Sequence, residues 1–66
     1  METKQKLIGY RKMAGLTQDE IADKLKISRS TYLKKENDPG KFTFDEQKSI
    51  QEILSQKIPE LPNIFL

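Results

Sequence analysis

Sixty-six residues are enough for one self-folding domain with one small core, because independent domains become marginal near about 55 to 65 residues. The chain has no cysteine and no histidine, which removes disulfides, thiolate chemistry, the commonest zinc ligands and the usual general base; an enclosed ligand cavity of about 300 to 1,000 Å³ would consume most of the core, so an enzyme is disfavoured. The formal charge is only +2, but it is unevenly spread: Lys24, Lys26, Arg29, Lys34, Lys35 and Lys41 are opposed locally by Glu36 and Asp38 alone, whereas Asp45, Glu46, Glu52 and Glu60 outnumber Lys48 and Lys57 further on.

In chain order, METKQKLIGYRK is interrupted by charge throughout and fits neither a leader nor a membrane span; the expectation is a soluble, unprocessed, cytoplasmic protein. Leu7, Tyr10 and Ala14 recur at helical spacing before Gly15, a left-handed stop, which predicts a first helix over about Thr3 to Ala14. Thr17 and Glu20 form a capping box ahead of the inward set Ile21, Ala22 and Leu25, so a second helix is expected over about 18–25. Ser28 is the natural N-cap of a third helix running to about Asn37. The sequence NDPG ends it, since Pro39 cannot continue a helix and Gly40 suits a turn position with positive φ. Thr43 and Glu46 repeat the capping box and open a fourth helix with Phe44, Ile50, Ile53 and Leu54 as its buried side. The tail 58–66, with two prolines and several large apolar residues, is too broken for a long helix and too apolar for disorder, and is expected to fold back on the body or on a second subunit.

The acidic pairs Asp19–Glu20 and Asp45–Glu46 each fall in the first turn of a predicted helix, where the dipole and capping favour negative charge, so they read as structural rather than catalytic. No Gly-rich phosphate loop or metal-spaced cluster occurs. Two short helices joined by a tight turn, residues 18–37, make a helix-turn-helix candidate. Its residues QDEIADKLKISRSTYLKKEN place Ile21, Leu25, Ile27 and Tyr32 as apolar anchors and small Ala22 where the two helices cross. With LIGYRKMAGLTQ before it and FTFDEQKSIQEIL after it, the chain from about Lys4 to Leu54 resembles the small Cro/CI-type (XRE) helix-turn-helix repressors of phages and bacteria.

That resemblance implies a single domain over 1–66: an all-α, compact four- to five-helix bundle of the lambda-repressor-like DNA-binding type. It implies an ion pair between Arg11 and Glu36, joining the first helix to the third. Two positions depart from the family pattern. Lys26 stands where glycine is usual, so a left-handed residue there costs about 1 kcal/mol or more. Lys35 replaces an apolar residue, which predicts an alkyl stem packed inward with the ammonium reaching solvent or phosphate.

At about 100° per residue, Arg29, Ser30, Leu33, Lys34 and Asn37 share one arc of the third helix, an arc that contains no acid. In a major groove, Arg29 suits guanine O6 and N7, Ser30 several base edges, and Leu33 a thymine methyl; Lys34 suits a base or a phosphate. Thr17, Gln18, Asn37, Lys41 and Thr43 are the candidate phosphate contacts, the first two because free N–H groups at the start of the second helix attract anions; Lys12 and Lys35 are weaker candidates. Double-stranded DNA is therefore the expected partner, and the protein is expected to be a homodimeric transcriptional regulator acting as a repressor on a palindromic operator. No cofactor, metal or small-molecule effector is expected, and regulation would come through concentration, a protein regulator or competition for DNA. The candidate dimer surface is the acidic fourth helix with Leu61, Ile64, Phe65 and Leu66; the alternative is a tail that closes its own core. The rival function is a protein-interaction module, such as an anti-repressor, that keeps the fold.

Overall fold

The computed structural model describes residues 2–65, which form α1 (Glu2–Met13), α2 (Gln18–Leu25), α3 (Arg29–Asn37), a 3-10 turn (Pro39–Lys41) and α4 (Phe44–Lys57), with no strand among the described residues. This is the expected all-α bundle. Its boundaries follow side-chain chemistry. Thr17 accepts a hydrogen bond from the Glu20 N–H at 3.1 Å while the Glu20 carboxylate accepts one from the Thr17 N–H at 2.8 Å. Thr43 and Glu46 repeat the exchange at 3.1 and 2.9 Å, and Ser28 caps α3 by accepting from the Thr31 N–H at 3.1 Å. Gly15 follows α1 at φ +76. Lys26 closes α2 in the left-handed region, φ 62 and ψ 39, so the turn between α2 and α3 carries the strain expected of a side chain in that conformation.

Gly40 departs from the expectation of positive φ. It sits in the middle of the 3-10 turn, where the Lys41 N–H donates to the Asp38 carbonyl at 2.9 Å and the Phe42 N–H to the Pro39 carbonyl at 3.1 Å, a right-handed arrangement open to any residue.

One core joins every helix: Leu7 and Leu16, Ile21 and Ala22, Tyr32, Phe42, Ile50 and Leu54, closed by Ile64 from the tail. Helix α2 lies against both α3 and α4, and α1 supports α3. Phe44 is a second departure: it is 72% exposed, and Phe42 is buried instead. The reason is phase. Phe44 lies about 120° around α4 from Ile50, under the Lys48 ammonium one turn later, with 5.9 Å from nitrogen to ring centre. Phe42, just before the helix, turns inward against the rings of Tyr32 at 5.8 Å and Phe65 at 5.9 Å.

The tail returns to its own subunit. A left-handed Glu60 (φ 62) reverses the chain, and Gln51 then grips it: its amide donates to the Pro62 carbonyl at 2.9 Å and accepts from the Ile64 N–H at 3.1 Å. Ile64 is fully buried, so it has no surface to offer a second subunit, in contrast to its place in the expected dimer set. Leu61 and Phe65 are half-buried, and Leu66 lies outside the described residues. Among the described residues no helix is long and apolar enough to cross a membrane.

Candidate nucleic-acid interface

The inner side of α3 is set by one carboxylate. Glu36 is 4% exposed and receives a hydrogen bond from Arg11 Nε at 2.8 Å, from the Tyr32 hydroxyl at 2.7 Å and from Gln18 Nε2 at 2.9 Å. Arg11, 7% exposed, also donates from Nη1 to the Leu16 carbonyl at 3.0 Å. Burial pushes the Glu36 carboxyl upward, but the bonds from Gln18, Tyr32 and Arg11 outweigh it and hold the group below its ordinary range. Burial and then the Glu36 carboxylate drive the Tyr32 phenol the other way, far above its ordinary value. No buried side-chain nitrogen or oxygen among the described residues lacks a partner. A network satisfied in this way fixes α3 against both preceding helices.

With Tyr32 and Glu36 buried, Arg29, Ser30, Lys34 and Asn37 remain exposed and Leu33 is half-buried beside them. The arc read from the sequence is therefore the solvent face of α3. Three shallow hollows border it. Thr17 and Gln18 line the first with Arg11, Lys12 and Arg29, at the start of α2. Leu33, Lys34 and Asn37 line the second with Lys4 and Ile8 of α1. Lys41 lines the third with Thr31 and Lys34. The structure thus gathers Thr17, Gln18, Arg29, Leu33, Lys34, Asn37 and Lys41 around one surface. Thr43, although exposed, lines none of these hollows, and its N–H and side-chain oxygen are engaged by Glu46.

Three expectations change. The free donors foreseen at the start of α2 are fewer, because the Thr17 and Glu20 N–H groups belong to the capping box and the Gln18 amide points at Glu36. The Lys35 ammonium, foreseen as reaching for solvent or phosphate, is engaged within the fold: Glu46 holds it at 2.8 and 2.9 Å, and, against the upward push of burial, Lys35 and Thr43 keep the Glu46 carboxyl below its ordinary range. The arc is free of acid only within α3. Helix α2 brings Asp19 to it, with Oδ1 at 3.6 Å from Arg29 Nε and both side chains well exposed, at 74% and 58%.

Lys4 was not foreseen as part of this surface. Its ammonium donates to Asn37 Oδ1 at 2.6 Å across a separation of 33 residues, a pairing no local pattern encodes. Asp19 and Glu46 were visible only as first-turn acids, and their cationic partners are set by how helices cross. In comparison with known proteins, the family model described as helix-turn-helix matches residues 7–61, from within α1 to the start of the tail. No curated protein and no solved structure gives a significant match to the chain.

Proposed function

The chain belongs to the Cro/CI-type (XRE) helix-turn-helix family, a family of DNA-binding transcription regulators rather than of enzymes, and from that premise we propose that it is a repressor which reads an operator with α3. The observation that carries this reading is the division of α3 into a locked inner side, centred on Glu36, and an outer side of Arg29, Ser30, Leu33 and Lys34. A rigid mount is what base reading requires, because hydrogen bonds to base edges discriminate only when the donors hold their geometry. In this reading Arg29 bonds guanine, Ser30 a neighbouring base edge, and Leu33 covers a thymine methyl, while Lys34 reaches a base or a phosphate. The second N–H of the Gln18 amide, beside the one given to Glu36, and the remaining free N–H groups of α2 meet one phosphate run; Lys41 and Asn37 meet the other, and Lys4, which shares the Asn37 hollow, joins them.

Size favours a symmetric pair. The Cα trace extends 28 Å along its longest axis, less than the roughly 34 Å between half-sites one helical turn apart, so one subunit serves one half-site and two copies come close to touching. The exposed side of α4 with Leu61 and Phe65 is the surface assigned to that contact; Ile64 is not part of it. A repressor of this kind works in the cytoplasm by occluding polymerase.

Selection from a random duplex library tests the reading. An enriched palindrome with half-sites one turn apart is the expected result, and enrichment of no sequence would overturn it. With about four to six phosphates neutralised per subunit, log K falls against log salt with a slope near −0.9 for each. A flat salt response would instead point to a protein partner.

A further inference from the structure

Asp19 is an exposed acid at the edge of a cation-rich surface whose other hollows include Glu36 and Asp38 in their lining. Its carboxylate stands beside Arg29 at the mouth of the hollow that holds Arg11 and Lys12. The first turn of α2 favours an acid here, but the fold draws little else from it. The capping box of α2 is made by Glu20, and a 3.6 Å pair between two exposed side chains is too long for a good hydrogen bond and contributes little to folding. For binding to DNA in general it is unfavourable, since a carboxylate near a phosphate path repels every sequence alike. Its position suits a different task. The short approach of Asp19 is to Arg29 Nε, and neither of the two terminal nitrogens of the guanidinium is engaged in a hydrogen bond among the described residues. Those are the donors a bidentate bond to guanine O6 and N7 uses.

We propose that Asp19 is a positioning residue for Arg29, which orients the guanidinium end-on and so confines its choice to guanine at one base position. The inference rests on the DNA-reading role of α3 given above. Without Asp19, the long arginine side chain swings between base edges and the nearest phosphates, trading sequence preference for uniform attraction. With it, the guanidinium is biased toward the end-on approach as it enters the groove, although the pair adds little before DNA arrives. The exposed pair tightens when the groove expels water from around it, because screening then falls.

The test is selection from a random duplex library with the unaltered protein, Asp19→Asn, Arg29→Ala and the double variant, reading base enrichment position by position. Asp19→Asn keeps the shape and removes the charge, and circular dichroism verifies that helix content and melting are retained. The expected result is a loss of about threefold or more in guanine enrichment at the one position that Arg29→Ala also affects, with the other positions unchanged and no further loss in the double variant. Affinity for random DNA should rise in the same variant. If Asp19→Asn strengthens binding to all sequences while guanine enrichment stays intact, or if its effect persists in the Arg29→Ala background, the positioning role is overturned and the reading of α3 stands. If Arg29→Ala changes no position, or the unaltered protein enriches no sequence, the reading of α3 falls and the role of Asp19 falls with it.

Discussion

Three ion pairs tie helix α3 to its neighbours among the described residues, and two of them are of opposite character. The inner pair, Arg11 with Glu36, is buried, 2.8 Å long and reinforced by Tyr32 and Gln18; the outer pair, Arg29 with Asp19, is exposed and 3.6 Å long. Two charges removed from water must be fully hydrogen-bonded or they destabilise the fold, so the inner pair is a fixed joint. Charges left in water gain little from each other, so the outer arginine stays available to another partner. The same chemistry thus anchors a helix on one side and leaves it open for recognition on the other.

The largest effect should come from breaking the inner pair. Glu36→Ala leaves Arg11 buried without its counter-charge and should destabilise the protein by about 3 to 5 kcal/mol, measured by urea unfolding. Arg29→Ala should leave stability within about 0.5 kcal/mol. Acid should loosen the inner pair and the Lys35–Glu46 pair. Glu36 and Glu46 have folded-state values held below the ordinary 4.5, so their contribution is complete above that value and is lost as pH falls through the lowered ones. Thermal melting should therefore hold steady down to about pH 5 and drop below it, and replacing either glutamate by glutamine should flatten the drop.

Tyr32→Phe removes one donor to the buried carboxylate without touching the ring packing on Phe42, and should cost about 1.5 to 3 kcal/mol by the same unfolding measurement. The outer side should respond only in binding. Arg29→Ala should lower affinity by about 1 to 3 kcal/mol for the preferred duplex and relax one base position, whereas Lys41→Ala should weaken every duplex alike and reduce the salt slope by about one phosphate. Equal losses for Arg29→Ala on preferred and random DNA would erase the contrast between the two sides of α3.

What could be read in advance divides along the same line. Capping is local chemistry, so Thr17 with Glu20, Ser28, and Thr43 with Glu46 mark three helix starts within a few residues of sequence. The left-handed Lys26 and the Arg11–Glu36 pair came through resemblance, as positions in a known pattern. Phe44 misled because two phenylalanines flank Thr43 and periodicity cannot decide which belongs to the core; the inward stripe of α4 begins later, and the residue before the cap fills the gap. The Lys35–Glu46 and Lys4–Asn37 links, and the approach of Asp19 to Arg29, join side chains from different helices. Such links depend on crossing geometry, which no spacing rule within one helix contains.

Gln51 has a consequence for handling the molecule. By giving one hydrogen bond to Pro62 and taking one from Ile64, its amide does for the returning chain what an adjacent β-strand does in a sheet, and so seats a lid over the apolar floor. Shortening the protein after Lys57 would spare all four helices and still strip that lid, leaving Phe42 without Phe65 above it and the core without Ile64. Clumping of such a fragment would follow from the bared floor, and it should not be mistaken for native assembly.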